Sequence, residues 1–228
     1  MSVAVIQFGG SNCDRDVVTA AAHVGLDAER CWHNDHVPAT ASAIVLPGGF
    51  SYGDYLRPGA MAAHSPIMTD VEARLGAVPV LGICNGAQVG AECGLVPGVF
   101  TTNTSARFRC EWVHCRVETT TTPFTAGYAV GDVLRLPIAH GAGRYLATPE
   151  EVDTLEAADR ILLRYCEPSG EITSASNPNG SVDNIAGVVG ADRSTAVMMP
   201  HPERATVPAV ARSTDGAEII AGLARSIS

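Results

Sequence analysis

The feature that most constrains this chain is a rhythm in its first half. Short apolar runs stop at glycine and give way to helical patterns. VAVIQF (3–8) ends in Gly9-Gly10, AIVLPGG (43–49) closes on Pro47-Gly48-Gly49, and PVLGI (79–83) ends at Cys84. Apolar runs of this length without polar alternation are strands covered on both faces, as in a parallel sheet. NCDRDVVTAAAHVGL (12–26) predicts the first helix, with Asn12 as N-cap, Asp14 and Asp16 in the first turn and Gly25 at its stop. AERCW (28–32) reads as the second strand.

From about residue 99 the grammar changes. CEWVHCRVETT (110–120), GDVLRLPIAH (131–140), RILLRYC (160–166) and NIAGVVGADRSTAVMMP (184–200) read as strands separated by turns. NPNGS (177–181) is a strong turn signal, and residues 213–226 form a short terminal helix on this reading. No linker or composition break divides the 228 residues. The expectation is one α/β domain over residues 1–228: a mostly parallel sheet with helices on both faces and some antiparallel strands in the second half.

Composition excludes several functions. The net charge is −9, with fifteen Arg and no Lys, so the surface is ill suited to a nucleic acid. The missing lysine reads as a habit of the genome, through GC-rich coding or adaptation to high salt. No apolar run is long enough to span a bilayer, and MSVAVIQFGG has no basic segment or cleavage site, so a cytoplasmic protein is expected. Seven scattered cysteines do not make a disulfide framework. Cys110, His114 and Cys115 are the nearest approach to a metal set, but a strand turns Cys110 and Cys115 to opposite faces, so no metal is expected.

Gly82-Ile83-Cys84-Asn85-Gly86 has the spacing of a nucleophile elbow, in which a tight strand-to-helix turn lifts a side chain out of the sheet. A thiol there meets the helix dipole and free N–H groups, which favour thiolate. The backbone N–H of Asn85 would supply half of an oxyanion hole and that of Gly49, after the third strand, the other half. A thiolate attacking an acyl group needs an imidazole near neutral pH. Of seven histidines, His201 is set apart by VMMPHPERA, where an apolar strand runs out at His201-Pro202-Glu203. In an extended segment residues i and i+2 share a face, so Glu203 would orient the His201 ring. Cys84, His201 and Glu203 thus predict a cysteine hydrolase or acyl transferase acting through a thioester, with the acyl group unnamed.

GICNGAQ (82–88) with HPE downstream resembles the triad-type glutamine amidotransferases. VIQFGGSNCDRD, PGGFSYGDYLRPGA, NTSARF, PIAHGAGRY and NPNGSVDNIAGV narrow the resemblance to the glutaminase subunits of phosphoribosylformylglycinamidine synthases. That resemblance implies a flavodoxin-like sheet and hydrolysis of L-glutamine to glutamate and ammonia. It makes Cys84 the nucleophile, His201 the acid and base, and Glu203 its partner. It also places Gln88 in the substrate pocket, Arg107 and Phe108 near it, and leaves His140 a substrate, partner or structural role. Ala142 and Ala87 depart from the glutamate and the bulkier aromatic residue that many relatives carry.

The resemblance further implies a large synthetase subunit that uses ATP and magnesium to convert formylglycinamide ribonucleotide to the amidine, and a small bridging subunit where that synthetase is a short form. This chain, without lysine, has no phosphate loop of the G-x-x-x-x-G-K-[ST] kind, so no cofactor is expected on it. Two other readings predict different behaviour. A peptidase or deglycase-like hydrolase would be indifferent to free glutamine. A binding module would have a Cys84 thiol of ordinary reactivity, independent of His201.

Overall fold

The computed structural model describes residues 2–225. Its sheet has nine strands in the order β2-β1-β3-β4-β11-β10-β9-β6-β7. The first half contributes β1 (Ser2–Gln7), α1 (Asp14–His23), β2 (Asp27–Trp32), β3 (Ala41–Leu46), α2 (Ile67–Glu72), β4 (Val80–Ile83) and α3 (Asn85–Glu92). The second half adds β5 (Val99–Thr101), β6 (Arg109–Val117), β7 (Val133–His140), β8 (Arg144–Leu146), α4 (Pro149–Ala157), β9 (Ile161–Cys166), β10 (Ile185–Val189), β11 (Thr195–Met198) and α5 (Ala217–Ala221). β1 to β4 and β11 run parallel; β10, β9, β6 and β7 extend the sheet antiparallel. β5 and β8 pair separately.

Strand alternation sorts the core onto two faces. Val3, Val5, Val45, Leu81 and Ile83 pack with Val17, Ala20 and Ala21 of α1 and Ile219 and Ile220 of α5. Ala4, Ile6, Ile44, Leu46 and Val80 meet Ile67, Met68 and Val71 of α2 on the other side. Each such Val, Leu, Ile or Met side chain, fully buried, contributes roughly 1.5–3 kcal/mol, and each alanine methyl about 0.8 kcal/mol or less. Both faces are therefore covered, which is why these strands read as unbroken apolar runs.

Three expectations need correction, and one helix had none. The cap of α1 is Cys13, not Asn12: the Ser11–Gly49 bridge and the Cys13 N–H bond to Gly48 O hold the chain straight one residue longer. Residues 184–200 are two strands, because Asp192 accepts from the N–H groups of Ser194 and Thr195 and turns the chain back. α4 escaped the periodicity reading. Its start is a capping box, in which Thr148 accepts from Glu151 N and Glu151 accepts from Thr148 N. The terminal helix is shorter than residues 213–226, and residue 226 lies outside the described residues.

Candidate active site

Topology assembles the site from distant parts of the chain. β4 lies between β3 and β11, with Leu46 opposite Gly82 and Met198 opposite Ile83. Gly49, Cys84 and His201, which follow those three strands, therefore emerge together at one carboxyl edge. Open α/β sheets bind their ligands there.

Cys84 turns between β4 and α3 with φ +51° and ψ −105°. Such backbone strain costs about 1–3 kcal/mol and persists only where its surroundings hold it. Here Cys84 N donates to Met198 O at 2.8 Å, and Ala87 N and Gln88 N donate to the Cys84 carbonyl. The flanking glycines let three segments close on one another. A Cβ on Gly86 would run into the Leu46 carbonyl, and one on Gly82 would lie 2.8 Å from Gly86 O. Sγ is left 3.7 Å from Ala139 O.

His201 Nδ1 lies 2.6 Å from Glu203 Oε1, with the two residues only 1% and 3% exposed. The contact is made by a turn rather than by an extended segment. Pro202–Ala205 form a 3-10 turn, and Pro202, with no N–H to satisfy, suits its first position. The chain doubles back and sets Glu203 against the ring. Nε2 has no partner among the described residues, so it is the nitrogen left for the reacting groups. Burial opposes charge on this ring, but the Glu203 carboxylate and the Cys84 and Cys13 thiols outweigh it and push the imidazole well above its ordinary pKa. A ring that holds a proton this readily is suited to protonating a leaving amine.

Cys84 opens onto a cavity of about 270 Å³ shared with Gly49, Gln88, Phe108 and His140. That is close to the small end, roughly 300 Å³, of ligand pockets. Gly49 N donates to nothing among the described residues, and Asn85 N heads α3 without a helical acceptor. Gln88 lines the cavity with its amide already committed. Its Oε1 accepts from Asn85 Nδ2 at 2.9 Å and its Nε2 donates to Ala142 O at 2.6 Å. Position 142 thus serves the cavity through its carbonyl, which an alanine supplies as well as a glutamate. Phe108 is half exposed at the rim, 6.3 Å from the Phe50 ring. The Arg107 side chain is exposed and does not line the cavity; its carbonyl accepts from Asn103 Nδ2. A larger hollow of about 670 Å³ around Asn177–Ser181 touches none of the triad.

His140 lines the cavity with Nδ1 3.2 Å from Asn103 Oδ1. Burial, then the nearby His201, push its pKa down to about 4, so the ring is neutral near pH 7.

The sequence reading left out a second thiol at the triad. Cys13 stands past the carboxyl end of β1, 2% exposed, with its Sγ, a His201 ring nitrogen and a Glu203 oxygen all within 4.8 Å of one another. Such a trio has the donor types of a zinc site, but Arg204 Nη2 donates to the same Sγ at 3.1 Å and puts a positive charge where a cation would sit. Burial raises the Cys13 pKa, against the pull of His201 and Arg204. Its signal was available in the sequence: Cys13 follows a strand that ends at this same edge.

The chain matches the CobB/CobQ-like glutamine amidotransferase domain over residues 1–218. It belongs to that family. This amidotransferase chain is 59% identical to the phosphoribosylformylglycinamidine synthase subunit PurQ of Halobacterium salinarum, over 98% of this chain and 100% of that one. It is 58% identical to the subunit of the same name from Haloquadratum walsbyi, over 96% and 98% of the two chains. Among solved structures it resembles a chain in the structure of PurLQS from Thermotoga maritima, with a TM-score of 0.85 and 36% identity over 98% of this chain and 97% of that one. No helix among the described residues is long and apolar enough to cross a membrane.

Proposed function

We propose that this amidotransferase is the glutaminase subunit of a phosphoribosylformylglycinamidine synthase, acting as one unit over residues 1–228. The observation that carries the chemistry is the buried His201–Glu203 pair at 2.6 Å, in the turn just past the strand that neighbours β4, beside a strained Cys84 that opens on a cavity of about 270 Å³. The relatives' names support the acceptor reaction.

Cys84 Sγ attacks the side-chain carbonyl of L-glutamine, and the developing oxyanion takes the N–H groups of Gly49 and Asn85. The protonated His201 gives its Nε2 proton to the amide nitrogen. The C–N bond breaks, and ammonia leaves a γ-glutamyl thioester on Cys84. Neutral His201 then takes a proton from water, whose attack on the thioester carbonyl releases glutamate and regenerates the thiol. Glu203 keeps Nε2 aimed at each step and stabilises the imidazolium.

Ammonia then passes to a large synthetase subunit that carries ATP and magnesium and aminates formylglycinamide ribonucleotide, with a small third subunit bridging the two. L-Glutamine is this chain's own substrate, and the enzyme works in the cytoplasm. The test is glutamine turnover by the full chain, alone and with its synthetase subunit, ATP, magnesium and formylglycinamide ribonucleotide. The reading expects slow hydrolysis alone, and fast glutamate release matched by amidine in the mixture. Equal rates with and without the partner would overturn the coupling. Absence of hydrolysis in both would overturn the glutaminase.

A further inference from the structure

The cavity beside Cys84 carries one charge. Among the described residues lining it, Asp54 is the only carboxylate, and no arginine lines it. His140, the one other ionisable side chain there besides the thiol, is held neutral as described above. Asp54 Oδ1 is buried and has no hydrogen-bond partner among the described residues. Leaving a carboxylate oxygen unpaired away from water is costly, and burial raises the Asp54 pKa as that cost demands. The nearest arginine in sequence, Arg57, is spent on Glu92 in a two-pronged pair at 2.5 and 2.6 Å.

The backbone holds Asp54 in place at some cost. Tyr52, Asp54 and Leu56 all have positive φ, between +52° and +67°, and Gly53 joins them at +67°. None of the three favours the left-handed region as glycine does, and strain of this kind gathers where a ligand is gripped. The loop is pinned at several points. Tyr52 N donates to Gly9 O at 2.6 Å, Ser51 N to Asn85 Oδ1 at 3.0 Å, and the Tyr52 hydroxyl lies 3.2 Å from Ser65 Oγ. Asn85 is also the residue after the nucleophile, so the loop that presents Asp54 is fastened to the elbow itself.

Glutamine brings one positive group to a pocket whose only fixed charge is negative. Resting on the glutaminase reading, we infer that Asp54 is a specificity-determining residue that accepts the α-ammonium of L-glutamine and so places the side-chain amide at Cys84. No proton moves and no covalent step is added; the carboxylate selects an α-amino acid over a plain carboxamide.

The test compares L-glutamine with its desamino analogue, 4-carbamoylbutanoate, using the full chain with its synthetase subunit. The unmodified protein should show a kcat/KM for glutamine about 10- to 100-fold above that for the analogue, the range of a charge-assisted hydrogen bond. Equal values overturn the assignment without any variant. Asp54→Asn keeps the shape and tolerates the left-handed backbone, so Cys84 should react with iodoacetamide at the unmodified rate. In that variant the KM for glutamine should rise about 10- to 100-fold with kcat little changed, while the analogue is untouched and the preference disappears. A preference that survives Asp54→Asn, or a loss shared equally by both substrates, overturns the assignment and leaves the glutaminase standing. Hydrolysis of neither compound by the unmodified protein overturns both.

Discussion

The parallel and antiparallel halves of the sheet serve the site in different ways. In the parallel half, neighbouring strands end together, so pairing alone brings Gly49, Cys84 and His201 to one edge. The antiparallel half supplies the cavity wall opposite: Ala139 and His140 end β7, paired with Cys110 and Arg109 of β6, while Phe108, Gly141 and Ala142 lie in the adjoining loops that no ladder places. Side-chain amides fasten the loop that follows β7. Asn103 Oδ1 accepts from Gly143 N at 2.9 Å and its Nδ2 donates to His140 O, while Asn179 Nδ2 donates to Gly143 O at 2.8 Å. Cys84 and His201 thus follow rigid strand ends, while part of the facing cavity wall hangs from a polar network.

If that division holds, Cys84→Ala should lower glutamine turnover by roughly 10⁴-fold or more and leave the melting temperature within a few degrees. Gly86→Ala should do the reverse in kind. Its new methyl group meets the Leu46 carbonyl, and chemical denaturation should show a loss of about 3–5 kcal/mol.

On the wall side, His140 provides a pH handle. Its folded pKa, about 4, lies below the ordinary 6.5, so between those values the unfolded chain binds the extra proton. Stability from this group is complete above pH 6.5 and is lost as pH falls toward 4, by roughly 3 kcal/mol in all. Denaturation curves of His140→Gln should lack that share of the acid slope; an unchanged slope would mean the ring is not kept neutral by its surroundings.

Asn179→Ala should cost about 1–3 kcal/mol of stability and raise the KM for glutamine, with kcat nearly intact. A fall in kcat instead would move the wall into the chemistry. Smallest is Cys13→Ser, which leaves the triad in place but loosens the packing beside the ring. A two- to five-fold drop in kcat with a displaced acid limb of the pH profile is the expected outcome, roughly 1 kcal/mol or less. A profile identical to the unmodified protein would make Cys13 a bystander.

The same contrast decides what could be read from sequence. Strands covered on both faces announce themselves as apolar runs, and Gly82 and Gly86 mark the elbow because close approach forbids a side chain. The His201–Glu203 pair was legible as a pair although its geometry was not, since Pro202 starts a turn where alternation assumes a strand. α4 was visible in Thr148-Pro149-Glu150-Glu151 but its capping box was passed over. Asp54 and the amides of Asn103 and Asn179 carry no local pattern. Asn103 lies 40 residues from Gly143, and Asn179 lies 36 residues beyond it. Their roles exist only once the loops have met, and hydrogen bonds over such separations leave no periodicity behind.

The central claim is that Cys84 is a reactive thiol shaped to take glutamine. It is tested most directly by treating the full chain with a glutamine-shaped diazoketone and mapping the adduct by peptide mass spectrometry, with and without free L-glutamine. The account predicts one adduct, on Cys84 among the seven cysteines, suppressed by glutamine and absent in His201→Asn. Labelling spread over several cysteines, or an adduct on Cys84 indifferent to both glutamine and His201, would contradict it.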